Sequence, residues 1–297
     1  MKIAFDAKRA FHNVTGLGNY SKAVINSIAN LNSKNKIYLF TPQIKTTNKK
    51  NQFNPMQKNI NIIQPSRLEN KHYWRMRGLN KELTNLKIDI YHGLSNEIPI
   101  GLKTKTIVTI HDLLFLKYPK FYNFIDRTTY KLKSQYACNK SDYIIAISQQ
   151  TKEDIIKYFN INEAKIKVIY QSCHSDFINW GQIDSINKKQ AKSTNALQKK
   201  FQELNLPNKY ILHVGSFEER KNLLFLLKAI KLNKNIHLVC VGRKNTYFKK
   251  VIQFVKKHNI DNQLTFLSVE KNDLLAKVYR ESRGLIYPSI DEGFGIP

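Results

Sequence analysis

Short apolar runs recur along this chain, each followed by a longer amphipathic stretch, and that alternation constrains the fold more than any other feature. In the first half the runs 2–5, 37–40, 60–63, 88–92, 106–110, 143–147 and 167–169 read as strands. Helical patterns cover 19–31, 73–86, 124–139 and 149–159. A strand covered by helices on both faces is apolar throughout rather than at alternate positions. Runs of that kind separated by helices predict βαβ units and a parallel sheet. The second half repeats the pattern with strands at 210–214, 236–241, 264–267 and 284–287 and helices at 222–230, 249–258 and 273–282. The expectation is an α/β chain of two Rossmann-like domains, 1–175 and 208–297, the second small and incomplete. The polar stretch between them, 176–207, reads as a linker or surface insertion.

At 297 residues the chain has room for two domains of about 150 residues each. Its 42% hydrophobic and 24% charged content excludes compositional disorder. No apolar run nears the roughly 18 residues of a spanning helix. The start, Met1 to Asp6, turns polar too early for a signal peptide. Cys138, Cys173 and Cys240 are scattered and odd in number. They are expected to be buried thiols in a cytoplasmic protein, without a disulfide framework.

Forty-nine Lys and Arg against 22 Asp and Glu give a net charge of +27, spread over both halves. Nucleic-acid binders concentrate charge in a patch with interleaved aromatics, and no nucleic-acid partner is expected. The lysine pairs read as solvated faces. An anionic partner, either lipid headgroups or a phosphate-bearing substrate, is the open alternative. Lys71, Tyr73, Trp74, Arg75, Met76, Arg77 and Lys81 fit an interfacial helix and equally an ordinary amphipathic one.

Four constellations could carry chemistry. Gly16 and Gly18 follow the first strand and open a helix, where backbone N–H groups can meet an anion; Ser21 stands where a dinucleotide fingerprint needs glycine. His111-Asp112 follows the strand at 106–110, at the strand end that faces a ligand crevice in parallel sheets. Arg220-Lys221 opens a helix, against the helix dipole, which makes sense if an anion such as diphosphate sits between them. Finally Asp291-Glu292-Gly293-Phe294-Gly295 follows a strand and joins a carboxylate to glycine N–H groups. No Asp-x-Asp occurs, and no metal site is expected.

With these motifs in this order, the chain resembles the retaining glycosyltransferases of family 4, which have the GT-B fold. Gly16-Leu17-Gly18, His111-Asp112, Ile147-Ser148 with Thr151 to Ile155, Gly215 leading to Arg220-Lys221-Asn222, and Pro288-Ser289 leading to Glu292 to Pro297 carry the likeness. Trp74 and the strand end at 89–92 resemble the subgroup that builds surface polysaccharides, often with mannosyl or rhamnosyl donors. The resemblance implies a metal-independent transferase without cofactor. Its donor would be a nucleotide-diphosphate sugar and its acceptor a glycan or lipid-linked sugar. It would be cytoplasmic, with peripheral contact to the inner membrane face as an open reading.

The same resemblance implies residue roles. Arg220 and Lys221 would neutralise the donor diphosphate, approached also by Gly16 and Gly18. Glu292 and His111 would contact the donor sugar as catalytic residues. Gly293, Phe294 and Gly295 would offer backbone N–H groups, and the region of Val269 would hold the base. The second glutamate of the family's E-x7-E motif falls at position 300, after Pro297, so a truncated chain is expected. The alternative reading is therefore a non-catalytic nucleotide-sugar or glycan-binding remnant. Nucleotide-sugar epimerases share the two-domain architecture and form a lesser alternative.

Overall fold

The computed structural model describes residues 1–296 except 14, 45–52, 56, 67–69, 71–72, 174 and 179–187. Two compact units emerge: 1–172 with 293–296, and 173–292.

Unit 1 is built on seven parallel strands in the order β3-β2-β1-β4-β5-β6-β7. They are β1 (Lys2–Asp6), β2 (Lys36–Phe40), β3 (Ile60–Ile63), β4 (Ile90–Gly93), β5 (Lys105–Ile110), β6 (Tyr143–Ala146) and β7 (Ile166–Val168). Its helices are α1 (Lys8–His12), α2 (Gly16–Leu31), α3 (Leu79–Asn85), α4 (Leu114–Lys117), α5 (Phe124–Lys140) and α6 (Gln149–Phe159). The chain winds outward from β1 in one direction, then from β4 in the other. This reversal places a topological switch between β1 and β4, where the carboxyl ends of strands open onto a ligand crevice in such sheets. Apolar layers cover both sheet faces: Ile25, Ile37 and Leu39 on one, Trp74, Ile110, Ile144 and Ile155 on the other.

The glycine turn expected before α2 is instead the helix's own first turn, with Gly16 and Gly18 both helical. Gly18 is fixed by packing, since a Cβ there would lie 1.8 Å from the Asn13 carbonyl oxygen. The helix expected at 73–86 begins as a π-helical turn, Trp74–Gly78, before α3. The wider turn changes which side chains face inward. Trp74 is buried and donates through Nε1 to Glu82 at 2.7 Å, while the Arg75 guanidinium is buried in an ion-pair network. This corrects the interfacial reading of that segment for two of its members. Tyr73, Arg77 and Lys81 are exposed, and Lys71 lies outside the described residues.

Unit 2 carries three parallel strands in the order β10-β9-β8: β8 (Ile211–Val214), β9 (Leu238–Val241) and β10 (Leu264–Leu267). Around them run α7 (Ser175–Ile178), α8 (Lys188–Gln202), α9 (Leu223–Leu232), α10 (Thr246–His258) and α11 (Asn272–Glu281). The strand expected at 284–287 is reduced to a single parallel bridge between Leu285 and Leu212. The segment read as linker holds α8, whose Phe201, followed by Leu204 and Leu206, packs on a core of Tyr210, Val239 and Val278. Polar composition concealed a helix with one apolar edge. The lysine pairs 199–200, 249–250 and 256–257 are exposed as expected. Cys138 and Cys240 are buried, but Cys173 is exposed, against the expectation for all three. Among the described residues no helix is long and apolar enough to cross a membrane.

Candidate functional site

In unit 1 the polar groups gather at the carboxyl ends of the central strands. Asp6 ends β1 and meets Arg75 at 2.5 Å; Arg75 also binds Glu97 at 2.6 Å, and Glu97 takes Lys133 at 2.9 Å. Burial pushes the Glu97 carboxyl up, but the charge and hydrogen bond of Arg75 outweigh it and hold the carboxyl at about 2. Lys8 and Arg9 stand on α1 directly after β1. Burial, with Arg75 close by, lowers the Lys8 pKa, and the Arg9 Nε is buried without a hydrogen-bond partner among the described residues.

His111 follows β5 and is buried. Its backbone N–H donates to the Asn96 side-chain oxygen at 3.0 Å, and the Asn96 amide donates to the Asp112 carbonyl at 3.0 Å. Asn96 sits at φ 54°, a left-handed conformation that asparagine tolerates better than most residues, and so clamps the loop. The His111 ring pairs through Nε2 with the Leu94 carbonyl at 2.9 Å, which fixes that nitrogen as the donor. The Asp112 carboxylate accepts from the Leu114 N–H at 3.2 Å. Tyr20 packs edge-on against His111 and shares Thr109 with His92, at 3.0 and 2.9 Å.

Burial lowers both imidazoles to about 4, His111 adding to the effect on His92 and Arg9 to that on His111. Both are therefore neutral at pH 7. A folded pKa below the unfolded value of about 6.5 means that only the unfolded chain takes up protons between pH 6.5 and 4. Their contribution is complete above about pH 6.5 and is lost as pH falls towards 4, on the order of 3 kcal/mol for each. Thermal melts should show Tm dropping already between pH 6.5 and 5, above the range where Glu97 titrates, and the drop should be smaller in His92→Gln. A flat Tm over that interval contradicts the assignment.

Gly293 to Ile296 belong to unit 1. Ser148 and Thr151, at the start of α6, donate to the Gly293 carbonyl at 2.5 and 3.3 Å. Thr151 also reaches the His111 carbonyl at 3.2 Å. A Cβ at Gly293 would lie 2.1 Å from that same carbonyl oxygen, so only glycine fits. Phe294 packs on Tyr170 with ring centroids 5.8 Å apart. Gly295 has φ 87°, open to glycine and strained for other residues.

In unit 2 the site forms at the carboxyl end of β8. Gly215 follows the strand, and Arg220 and Lys221 lie on a 3-10 turn, Glu219–Lys221, one residue before α9. Backbone bonds tie that turn to the segment after Leu285: the Ile290 N–H donates to the Arg220 carbonyl at 3.0 Å, and the Asn222 side chain to the Pro288 carbonyl at 3.2 Å. The anion between the two cations is the chain's own Glu292. Lys221 Nζ meets one carboxylate oxygen at 2.6 Å and Arg220 meets the other at 3.0 Å. Tyr287 bonds to both Lys221 and Glu292 through its hydroxyl. Arg220 additionally donates to the Asp291 carbonyl at 3.0 Å. Burial pushes the Glu292 carboxyl up, but Lys221, helped by Arg220, pulls it below its usual range. His213 lies under this site on β8, stacked on Tyr287, and burial lowers its pKa.

Of the expected residues, Arg220, Lys221 and Glu292 come together in unit 2, and His111 and Gly293 in unit 1. Val269 lies just after β10, half-buried against the core, and Gly16 opens α2 with free space at its Cα. Sequence reasoning missed Tyr287 and the Asp6–Arg75–Glu97 network. Asp6 at a central strand end was the available signal. Among the described residues no three His, Cys, Asp or Glu cluster.

Each unit is a doubly wound α/β layer of the kind found in GT-B proteins. The Glycosyltransferase Family 4 model matches residues 15–175, and the Glycosyl transferases group 1 model matches 195–297. The chain belongs to glycosyltransferase family 4. It is 30% identical over 202 residues to the O-antigen chain mannosyltransferase RfbU of Salmonella typhimurium, covering 67% of this chain and 49% of that protein. It is 25% identical over 319 residues to O-antigen chain mannosyltransferase B of Escherichia coli, covering 100% of this chain and 78% of that one. Sucrose-phosphate synthase from Thermosynechococcus elongatus superposes with TM-score 0.69 at 15% identity, over 100% of this chain and 77% of the other. Anabaena HepE in complex with UDP-glucose superposes with TM-score 0.63 at 15% identity, over 97% and 74%. At that identity the two structures bear on the fold alone. The chain spans about half the length of RfbU.

Proposed function

We propose that this protein is a retaining, metal-independent glycosyltransferase of surface-polysaccharide synthesis. It moves a mannose- or rhamnose-like hexose from a nucleotide-diphosphate sugar to a glycan or lipid-linked acceptor. The observation that carries the proposal is the Arg220–Lys221–Glu292 cluster at the carboxyl end of β8, with both cations more than four-fifths buried. Two relatives, both O-antigen mannosyltransferases, support the hexose and the pathway class.

In this reading the diphosphate of the donor displaces the carboxylate from the two cations, and Glu292 turns to the sugar hydroxyls. The bond between the anomeric carbon and the diphosphate oxygen breaks. Arg220 and Lys221 hold the charge that develops on the leaving oxygens, the role that preorganised cations fill in phosphate chemistry. The acceptor hydroxyl forms the new bond on the same face, and its proton passes to the departing diphosphate. Gly293, Phe294 and Gly295 supply backbone N–H groups, Gly16 and Gly18 approach the diphosphate, and Val269 borders the base. His111, neutral and held by Leu94 and Asn96, contacts the sugar near the reacting carbon. No cofactor takes part.

A thermal-shift screen over nucleotide sugars tests this. Any ligand that binds only the folded chain raises Tm, by about 2.7 kcal/mol of stability at a hundredfold excess over Kd. One nucleotide-diphosphate hexose of the panel should raise it, and transfer to a glycan or lipid-linked acceptor should follow. If no nucleotide sugar shifts Tm and none is turned over, the proposal fails. A Tm shift without turnover would favour the non-catalytic binding alternative.

A further inference from the structure

Two hydroxyls, those of Tyr287 and Ser289, stand beside the Glu292 carboxylate in unit 2. Lys221 Nζ donates to the Tyr287 oxygen, which in turn lies 3.1 Å from Glu292 Oε1. An ammonium can only donate. Lys221 therefore occupies a lone pair of the Tyr287 oxygen, and the hydroxyl proton is left for the carboxylate. The tyrosine ring is held from two directions. Lys221 Nζ lies over it, 4.8 Å from the centroid, and the His213 imidazole stacks on it at 6.2 Å and 28°. His213 is itself fixed: it is buried on β8 and donates through Nδ1 to the Ile286 carbonyl at 3.2 Å.

Ser289 is in a different state. Its Oγ is buried and makes no hydrogen bond among the described residues, yet it lies near enough to Glu292 to favour the ionised carboxylate. A buried hydroxyl without a partner is a standing cost and calls for an explanation. The neighbouring carboxylate supplies one. At rest both of its oxygens are taken by cations, Oε1 by Lys221 at 2.6 Å and Oε2 by Arg220 at 3.0 Å. An anion that takes the cations strips Glu292 of both charged donors, and an unpaired charge at a mostly buried position is costly. The hydroxyls carry no charge for that anion to neutralise, so they stay with the carboxylate.

We propose that Tyr287 and Ser289 are positioning residues that receive Glu292: when a diphosphate takes Arg220 and Lys221, their hydroxyls hold the carboxylate in one orientation towards the sugar. This rests on the reading of the cluster as the diphosphate site. Removing the hydroxyls weakens the displaced state more than the resting one, because at rest the carboxylate still has both cations.

Calorimetry with inorganic pyrophosphate on the purified chain tests the exchange without turnover. Tyr287→Phe keeps the ring and its contacts with His213 and Lys221, and Ser289→Ala deletes a hydroxyl that has no hydrogen-bond partner at rest. Each should weaken pyrophosphate binding about threefold, and the two together about tenfold. With Glu292→Ala in the background there is no carboxylate to receive, and neither substitution should change the affinity. Ser289→Ala should leave Tm unchanged or raise it, and it carries the test alone should Tyr287→Phe fail to fold. In a transfer assay the double variant should lower kcat at saturating donor about tenfold. Undiminished pyrophosphate affinity in the double variant, an equal loss in the Glu292→Ala background, a lower Tm for Ser289→Ala, or a raised KM with kcat intact would each overturn the receiving role. If Arg220→Ala abolishes pyrophosphate binding while the double variant keeps it, the receiving role falls and the diphosphate reading stands. A wild type that binds no pyrophosphate overturns both.

Discussion

Lys221→Ala is expected to lower sugar transfer by about one to three orders of magnitude, and Arg220→Ala by a comparable factor, the scale seen when one preorganised charge is taken from a developing anion. Both cations are mostly buried, so water cannot replace them cheaply. The pairing with Glu292 gives the prediction a second, sharper form. As the structure stands, Glu292 holds both buried cations, and the more exposed Glu218 lies 3.7 Å from Arg220, so an arriving anion competes with the chain's own carboxylates. Glu292→Gln removes the internal competitor. Inorganic pyrophosphate should then bind more tightly, on the order of tenfold, which is about 1.4 kcal/mol. Transfer should nevertheless fall, because the sugar contact is lost. A purely structural ion pair predicts a different pattern: Glu292→Gln would remove the carboxylate shared by the two buried cations and lower Tm, with no gain in pyrophosphate affinity. Calorimetry with pyrophosphate, beside a transfer assay and a melt, separates the two. Near-normal transfer in both alanine variants removes Arg220 and Lys221 from the site.

Much of this arrangement was legible in the chain because parallel strands buried on both faces leave unbroken apolar runs. Those at 37–40, 106–110 and 143–147 fall within a residue of β2, β5 and β6. What escaped was short or depended on partners distant in sequence. The α1 and α4 helices, of 5 and 4 residues, are too brief for a helical period to declare itself. The run at 284–287 has the composition of a strand, yet pairing needs a neighbour in register, and only Leu285 finds one. In α8 the lysines and glutamines masked the few apolar positions. The cations Arg220 and Lys221 stood out because they oppose the helix dipole. That their counter-ion is a carboxylate 71 residues further on is a fact of folding that spacing does not reveal.

Arg75 was misread for the same reason, and its replacement carries the largest expected effect on stability. Arg75→Met should cost about 3–5 kcal/mol, the range for breaking a buried ion network from one side. For a unit of this size that is a fall in Tm of about 10 °C. The cause is what remains: Asp6 and Glu97, with side chains 9% and 14% exposed, would face each other without the guanidinium they share, with Lys133, at 38%, and Lys8 as the cations that act on them. The pH dependence identifies this cause. In the wild type Glu97 titrates at about 2, below its unfolded value, so its contribution is complete above about pH 4.5 and declines as pH falls towards 2. Without Arg75, burial and the neighbouring Asp6 carboxylate raise the Glu97 pKa. Folding then takes up protons, and acid relieves the strain rather than adding to it. The Tm gap between wild type and Arg75→Met should therefore narrow from pH 7 to pH 4.5. Adding Asp6→Asn and Glu97→Gln should restore much of the loss at pH 7, because the uncompensated charge, not the missing guanidinium volume, does the damage. A gap that stays constant with pH, and a triple variant no better than the single one, would instead assign the loss to packing around the π-helical turn.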